Sequence, residues 1–483
     1  MNGPLVLAFD IGTQSARAML INPQGEILFK EQKIYDQPYF SKQPGWAEQH
    51  PDFYWQHLCE ISRALIAKAG SAASWIIAVT CSTIRDSTLC LDKERRPLRD
   101  IILWLDNRKT ENLPPLPVVL QMVIHIAGIK ERVEHQRQKC PSNWLAKNEK
   151  EIWDKTDKMV LLSTWLNYKL CGELADATAS VIGHLPYDAK NRAWMSPRNI
   201  RRWIFCMDEG KQFTLKETTS VLGCISPAAA RETGIAKGLP LIASGSDKGC
   251  EILGLSCLEE HKAALSFGTT ATVELSSRAY MEPLPYFPPY PAVVPGYYNP
   301  EVEIYRGYWL LSWFKREFAA KEEMEALRRG ISAEVILDQG LRGIKPGCDG
   351  LLMQPYFSPV VDMPYAKGSI IGFSDVHTRL HLYRAIIEGI NFALMDGMRT
   401  MEKRGNLKIR ELYVAGGGSR SDEVCRITAS MFGLPVYRTQ TNEATGIGAA
   451  LAAFCSMKIF KSWEEGIASM VHVKDCFEPD EHI

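Results

Sequence analysis

The sequence has no excess of charge of either sign. Its 483 residues include 56 Lys or Arg and 56 Asp or Glu, so the formal net charge is zero. Proteins that bind nucleic acid usually carry a basic excess, and the balance argues against such a partner. Aromatic residues make up 10% of the chain, which argues against disorder because disordered chains are poor in them.

Long hydrophobic runs and paired cysteines are also missing. The longest apolar candidate, residues 118–129, contains Gln121 and His125, and it is shorter than the about 20 residues that a membrane-spanning helix needs. Asp10 interrupts the first apolar run and no basic segment precedes it, so a signal peptide is not indicated. The 13 cysteines show no CxxC motif, which favours buried, reduced thiols. These absences predict a cytoplasmic protein with no membrane partner.

The length of the chain and an internal similarity predict two domains. A chain of 483 residues is too long for one ordinary core. Residues 7–20 (LAFDIGTQSARAML) and 264–275 (ALSFGTTATVEL) both predict a strand, a Gly-Thr turn and a second strand. We therefore expect two halves of similar α/β fold, with boundaries at residues 1–247 and 248–483. Apolar spacing further predicts helices over 153–170, 310–329 and 377–404.

The midpoint of the chain combines a carboxylate with the second Gly-Thr turn. The apolar run 239–243 predicts a buried strand, and Asp247 follows its carboxyl end. Ligands in open α/β sheets bind just beyond the carboxyl ends of strands, which makes Asp247 the strongest candidate for a general base. Ser-Asp before small residues is also typical of a helix N-cap, and Asp247 is compatible with both roles.

Three glycine-containing turns are candidates for phosphate binding. They lie at residues 12–15, 268–270 and 416–419, and the last precedes a predicted helix. Backbone N–H groups in such turns, helped by Thr hydroxyls, can surround an anion. Each turn alone is typical of an ordinary loop, whereas the three together favour a nucleotide. The motif GxxxxGK followed by Ser or Thr is absent, so the protein is not a P-loop protein.

Charged residues accompany the first of these turns. Asp10 directly precedes it, where a carboxylate suits Mg²⁺ held through water or stabilises the turn through its own side chain. Arg17 suits either a phosphate contact or an ion pair at the surface.

A second polar cluster follows two other apolar strands. It consists of Arg85 and Asp86 together with Trp104 and Asp106. An indole ring can contact the C–H groups of a polyol, while carboxylates and guanidinium groups bind its hydroxyls. If either pair is taken alone, its residues can equally be ordinary charged groups exposed to solvent at the end of a strand, with no ligand.

These residues, in this order, resemble the FGGY family of carbohydrate kinases, which includes glycerol kinase and xylulokinase. The resemblance covers nearly the whole chain and is carried by FDIGTQSARA (9–18), WAEQ (46–49), ILWLDNR (102–108), GSDKG (245–249), SFGTT (266–270), HTRLHLYRAIIEGINFAL (377–394), VAGGGSRSD (414–422) and ATGIGAALAAF (444–454). It implies two actin-like (ribonuclease-H-like) domains with an interdomain catalytic cleft. The N-terminal half would hold the sugar and the C-terminal half would hold most of ATP.

The resemblance also implies roles by position. Asp247 matches the general base, and Asp10 matches the acid beside Mg²⁺. The nucleotide site would comprise Thr13, Gln14, Ser15, Arg17, Gly268, Thr269, Gly416, Gly417 and Ser421. The substrate site would comprise Arg85, Asp86, Trp104, Asp106 and Asp247.

The implied activity is ATP- and Mg²⁺-dependent phosphorylation of a hydroxyl on a small sugar or polyol. Ile84-Arg85-Asp86 stands where xylulokinases usually have Met-His-Gly and is closer to the Arg-Glu of glycerol kinases. WLDNR and SGSDKG are closer to the sugar kinases, which favours a ketopentose such as xylulose over glycerol or another polyol. The family's lysine near its first signature aligns with about Pro141, so that segment has diverged.

A non-catalytic, actin-like nucleotide-binding regulatory protein is the alternative from another class. Asp247 together with the Trp104 and Asp106 cluster argues against it, because a nucleotide switch needs neither. Dimers are common in the resembled family, so a homodimer is a further expectation.

Overall fold

Two six-stranded sheets form the framework of the protein, whose computed structural model describes residues 3–358, 363 and 365–480. The chain divides into two compact units: unit 1 is the chain up to Gly254 with Leu284–Tyr297 and Glu443–Val471, and unit 2 is the remainder. The sheet of unit 1 contains β1 (Leu5–Ile11), β2 (Ser15–Ile21), β3 (Ile27–Ile34), β4 (Ile76–Thr83), β5 (Val221–Cys224) and β6 (Pro240–Ile242). The sheet of unit 2 contains β7 (Lys262–Phe267), β8 (Ala271–Leu275), β9 (Glu301–Ile304), β10 (Glu411–Ala415), β11 (Val436–Thr439) and β12 (Val473–Phe477).

The two sheets share one arrangement of strands. The order is β3-β2-β1-β4-β6-β5 in unit 1 and β9-β8-β7-β10-β11-β12 in unit 2. In both sheets the first two pairings are antiparallel, the next two are parallel and the last is antiparallel. The expectation of two α/β halves of similar fold is therefore confirmed. The halves differ at the outer strand, because β5 precedes its neighbour β6 in the chain whereas β12 follows β11.

The strands of the predicted hairpins are almost completely buried, and most of their residues are apolar. Every residue of β1 is buried, as expected of a central strand covered on both sides. The Gly-Thr turn joins it to β2 with Asp10 directly opposite Arg17 in the register. In unit 2, β7 and β8 pair in the same way, with Phe267 opposite Ala271.

Helices and short strands complete both units. The helices are α1 (Pro51–Ala69), α2 (Val118–Ile126), α3 (Lys130–Lys139), α4 (Pro141–Asn148), α5 (Lys150–Lys155), α6 (Leu162–Cys171), α7 (Pro227–Thr233), α8 (Asp247–Gly254), α9 (Trp309–Phe318), α10 (Ala320–Arg329), α11 (Ala333–Leu341), α12 (Arg379–Gly405), α13 (Asp422–Phe432), α14 (Ala444–Ser456) and α15 (Trp463–Met470). The short strands are Glu48–Gln49, Thr88–Leu91, Ile101–Ile102, Lys158–Leu161, Ala175–Ala177, Tyr187–Asp188, Ala193–Trp194, Thr214–Lys216, Tyr290–Pro291, Tyr298–Asn299, Leu352–Gln354 and Ser369–Ile371. No described helix is both long and apolar enough to cross a membrane.

The prediction of one continuous helix is wrong for two segments of the chain. The helix predicted over 153–170 is interrupted by the strand Lys158–Leu161, which pairs with Thr88–Leu91. A short apolar run does not reveal by its periodicity whether it is helix or strand, and the partner strand decides. The helix predicted over 310–329 is two helices, because Ala319 between them has non-helical dihedral angles (φ −114°, ψ 25°).

Glycines bring α8 and α14 into backbone contact within unit 1. A Cβ on Gly254 would lie 1.9 Å from the carbonyl oxygen of Ala444, and a Cβ on Gly448 would lie 1.9 Å from that of Cys250. A Cβ on Gly446 would instead meet the flexible end of Met19, 2.4 Å from its Cε. Within α14, the close packing is therefore more demanding at Gly448 than at Gly446.

We expect Gly448→Ala to lower the midpoint of thermal unfolding. The added methyl group would force two backbones apart at a cost of roughly 1–3 kcal/mol, which outweighs the gain in helix propensity of about 1 kcal/mol. Gly446→Ala is the matched control on the same helix, and it should lower the midpoint less. Equal midpoints for the two variants would contradict this account of the contact.

Candidate active site

Asp247 opens α8 a few residues after the end of β6, in unit 1. Ser246 caps that helix, because its Oγ accepts the N–H of Gly249 at 3.2 Å and its carbonyl accepts that of Cys250 at 2.9 Å. The capping role considered for Asp247 thus falls to its neighbour. The Asp247 carboxylate lies in the first helical turn, where Oδ1 accepts the N–H of Lys248 at 2.8 Å.

Two carboxyl groups, that of the buried Asp10 and that of the partly exposed Asp247, influence each other at this end of the sheet. Burial raises the pKa of Asp247, and the guanidinium of Arg85, with Nε 3.9 Å from Oδ1, opposes that rise. Burial also raises the pKa of Asp10 to about 6; Arg17 opposes the rise, and the negative charge of Asp247 adds to it. The predicted base and the predicted metal-binding residue therefore lie near each other, and each has a cationic partner.

Arg17 belongs to a network of ion pairs rather than to an exposed surface. Its Nη1 lies 2.8 Å from Oδ2 of Asp10, and its Nε lies 3.3 Å from Oε2 of Glu443. Glu443 in turn pairs with Lys30 at 2.8 Å. Sequence reasoning missed Glu443, whose one signal is its position directly before the glycine-containing helix α14. A contact of Arg17 with phosphate stays a prediction.

The first Gly-Thr turn is tied to the predicted substrate cluster. Oγ1 of Thr13 accepts the indole N–H of Trp104 at 3.0 Å. The turn itself is closed by the N–H of Gly12, which donates to the carbonyl of Ser15 at 3.0 Å. Gln14 is exposed, whereas the hydroxyl of Ser15 is buried and accepts from Gln32 at 3.3 Å. The structure thus brings Trp104, predicted to bind the sugar or polyol, into contact with Thr13, predicted to bind phosphate.

Arg85 and Asp86 face different partners. The Arg85 guanidinium stacks over the ring of Tyr290 at 4.6 Å, in addition to facing Asp247. Asp86 has a positive φ of 52°, and its Oδ2 contacts Nδ1 of His184. Burial lowers the pKa of His184, but the Asp86 carboxylate more than offsets this and leaves it raised. Oδ1 of Asp86 is buried and has no hydrogen-bond partner among the described residues, so it can accept from a ligand hydroxyl. No local sequence pattern pointed to His184.

Both carboxylate oxygens of Asp106 accept hydrogen bonds from other groups of the protein. Oδ1 accepts from the N–H and Nε of Arg108 at 2.8 and 2.7 Å, and Oδ2 accepts from Nη2 of Arg108 and the N–H of Ala47, both at 2.7 Å. The Arg108 guanidinium lies between two indole rings, 3.9 Å from Trp46 and 4.5 Å from Trp144. The geometry favours Asp106 as a residue that positions this loop, and its predicted contact with substrate stays a prediction.

The remaining predicted residues lie in unit 2, where two glycine turns meet. Gly416 has a φ of 85°, and a Cβ on it would lie 2.7 Å from the carbonyl carbon of Phe267 and 3.0 Å from the nitrogen of Gly268. Thr269 is exposed, and a Cβ on Gly417 would meet no atom within 4 Å. This side of the paired turns is therefore open to a ligand.

Ser421 has a structural role at the start of α13. Its hydroxyl accepts the N–H of Val424 at 3.1 Å and so caps the helix. A hydroxyl can accept a second hydrogen bond and donate one, so a contact with the nucleotide is compatible with the cap and stays a prediction.

Comparison with known proteins gives a consistent result along the chain. The xylulose kinase of Bacillus subtilis is 26% identical over 98% of this chain and 92% of its own length. A sugar kinase of Escherichia coli K12, described as uncharacterized, is 25% identical over 100% of this chain and 90% of its own length. The crystal structure of xylulose kinase from Rhodospirillum rubrum superimposes with a TM-score of 0.82 at 21% identity, covering 99% of this chain and 94% of that one.

The family models agree with these relatives and with the repeated sheet. The model of the N-terminal domain of the FGGY family of carbohydrate kinases matches residues 5–254, and the model of the C-terminal domain matches residues 263–457. Together they cover most of the chain, and the protein therefore belongs to the FGGY family of carbohydrate kinases.

Proposed function

We propose that this protein transfers the γ-phosphoryl group of ATP to a hydroxyl of a small sugar or polyol, with a ketopentose such as xylulose as the favoured acceptor. The observation that carries the proposal is the hydrogen bond from Trp104 to Thr13, because it joins the predicted acceptor site to the predicted phosphate turn. Relatives named xylulose kinase support a ketopentose. The Arg85-Asp86 pair keeps glycerol and other polyols as the alternative.

Asp247 is the proposed general base. Its carboxylate accepts the proton of the acceptor hydroxyl while that oxygen forms a bond to the γ-phosphorus. The bond between the γ-phosphorus and the bridging β–γ oxygen breaks, and ADP leaves with that electron pair. A raised pKa suits this role, since a general base is most effective when its pKa lies near the working pH. Most of the remaining rate enhancement in phosphoryl transfer comes from positioning and electrostatics.

Asp10 is the proposed residue for Mg²⁺. The described residues contain no group of three or more His, Cys, Asp or Glu arranged to hold a metal. This fits Mg²⁺, which commonly uses one or two carboxylates together with water and substrate phosphates. Asp10 offers a buried carboxylate next to the first Gly-Thr turn and close enough to Asp247 for their charges to interact. Bound Mg²⁺ would offset negative charge on the phosphate oxygens.

Each unit has its own set of residues proposed to contact the nucleotide. In unit 1, the turn of Thr13, Gln14 and Ser15 would donate to phosphate oxygens, with Arg17 held nearby by carboxylates. In unit 2, the residues that would contact the nucleotide are Gly268, Thr269, Gly416, Gly417 and Ser421.

A cytoplasmic location and a homodimer belong to the same proposal. The absence of disulfides among the described cysteines agrees with a cytoplasmic location.

A panel of acceptors in an assay that couples ADP formation to NADH oxidation tests the activity. We expect slow ADP formation with ATP alone and a clear stimulation by one of the pentuloses, hexuloses, polyols or glycerol. No stimulation by any of them would favour the rival function, a nucleotide-binding regulatory protein on the same fold.

We expect Asp247→Asn to lower kcat by on the order of 10²–10⁴, the usual contribution of a general base. ATP binding, measured by titration calorimetry, should change little because the substitution removes one charge and retains the shape. Glu251→Gln on the same helix is the matched control: it removes the ion pair with Lys248 and one minor contribution to the raised pKa of Asp247, but it leaves the Asp247 carboxylate in place and should keep most of the turnover. Near-native kcat in the Asp247 variant would refute the assignment.

We expect the acid limb of the pH profile of kcat/KM to reflect Asp10, whose pKa is raised to about 6. Glu443→Gln removes a negative charge that contributes to this rise, so the limb should move to lower pH. Glu60→Gln is the control, because Glu60 forms only exposed pairs with Lys33 and His57. An acid limb that stays in place in the Glu443 variant would exclude this coupling.

A further inference from the structure

The substrate side of unit 1 has a concentration of positive charge that the proposed reaction does not use. The carboxyl end of α3 packs beside the Asp86–His184 pair, because Nε2 of Gln136 donates to the carbonyl of Gly183 at 2.6 Å. Sγ of Cys140, which directly follows α3, lies 3.3 Å from the carbonyl oxygen of His184. These contacts bring Lys139 and His135, both on α3, to the predicted substrate residues.

Lys139 is a partly buried ammonium group with neutral partners. Its Nζ lies 2.8 Å from the amide oxygen of Asn107 and 3.3 Å from the carbonyl oxygen of Asp106, and it forms no ion pair with a carboxylate of the described chain. Burial and the nearby Lys109 lower the pKa of Lys139 to about 8, although the charges of Asp106 and Asp86 oppose this. The ammonium is therefore less stable here than in water.

The carboxylates around Lys139 are already paired with other cations. Arg108 takes both oxygens of Asp106, and His184 contacts Asp86. Lys109 is exposed and adds a second positive charge. Burial lowers the pKa of His135 to about 4, with Lys109 and Lys139 contributing, so its ring is neutral at physiological pH and can donate one hydrogen bond. Two ammonium groups, those of Lys139 and Lys109, thus lie close enough for their charges to interact.

A buried ammonium group is stabilised when an anion comes within a few ångströms, because the low local dielectric strengthens the attraction. Arg85, at the other side of the substrate cluster, already faces Asp247 and stacks on Tyr290. Lys139, with the exposed Lys109 nearby, therefore has capacity for an anionic ligand. A neutral ketose supplies only hydroxyl groups and leaves that charge unmatched.

We propose that the acceptor carries an anionic group, a carboxylate or a phosphate, which Lys139 binds while Asp247 acts on a hydroxyl elsewhere on the same molecule. A sugar acid or a sugar phosphate thus replaces the neutral ketopentose as the expected acceptor. This inference rests on the proposed kinase function. The bonds made and broken are those already described, and the anionic group takes no part in them.

The test compares kcat/KM for three sets of acceptors of matched length: neutral ketoses and polyols, aldonates, and sugar monophosphates. The wild-type protein should use an aldonate or a sugar phosphate at least tenfold better than its neutral counterpart. The separate aldonate and phosphate sets identify the source of the anionic group. Neutral sugars used as well as or better than both anionic sets would overturn the inference and leave the kinase function intact. No ADP formation with any set would overturn the kinase function itself.

Substitutions assign the preference to Lys139. In Lys139→Gln, the ratio of kcat/KM for the anionic acceptor to that for the neutral one should fall roughly 10- to 100-fold, the usual contribution of a hydrogen bond between charged groups. Lys139→Arg, which keeps the charge, should restore most of the ratio. Lys147→Gln is the control, because Lys147 donates only to backbone carbonyls of Glu111 and Asn112. An unchanged ratio in Lys139→Gln, in protein whose thermal midpoint is native, would refute the role.

Discussion

The site in unit 1 depends on two carboxyl groups at one end of its sheet, of which Asp10 is buried and Asp247 is partly buried. Asp10 ends the fully buried strand β1, and Asp247 begins α8 beyond β6. Removing such charges from water is costly unless cations or hydrogen bonds compensate. Arg17 forms an ion pair with Asp10, and the guanidinium of Arg85 partly compensates the negative charge of Asp247. The raised pKa values of both carboxyl groups show that compensation is incomplete, which favours chemistry at this position.

Close packing against α8 explains why Glu443–Val471, which is distant in the chain, belongs to unit 1. Close backbone contact at Gly254 and Gly448 holds α14 against α8. The start of α14 consequently contacts the surroundings of both carboxyl groups: Glu443 pairs with Arg17, the partner of Asp10, and the hydroxyl of Thr445 donates to the backbone carbonyl of Asp247 at 3.4 Å. Packing of small residues thus sets the electrostatics of the site.

Several polar residues of the candidate site have structural roles, and adjacent residues remain available to contact a ligand. Ser246 caps α8, so the Asp247 carboxylate is not needed for that purpose. Asp106 is saturated by Arg108 and Ala47, which fixes the loop that presents Trp104. On the substrate side, His184 contacts Asp86, and Lys139 donates to the neutral oxygens of Asn107 and Asp106.

The sequence by itself determined the hairpins with their Gly-Thr turns, the repeated α/β halves and the position of Asp247 after a strand. These features follow from local patterns, namely apolar runs, glycine turns and a carboxylate at a strand end. Only the tertiary structure decided the partners of those residues. Glu443, His184 and Lys139 reach the site through packing between segments far apart in the chain, and the strand Lys158–Leu161 forms because Thr88–Leu91 is there to pair with it. Such contacts depend on chain folding in three dimensions, so no local pattern in the sequence encodes them.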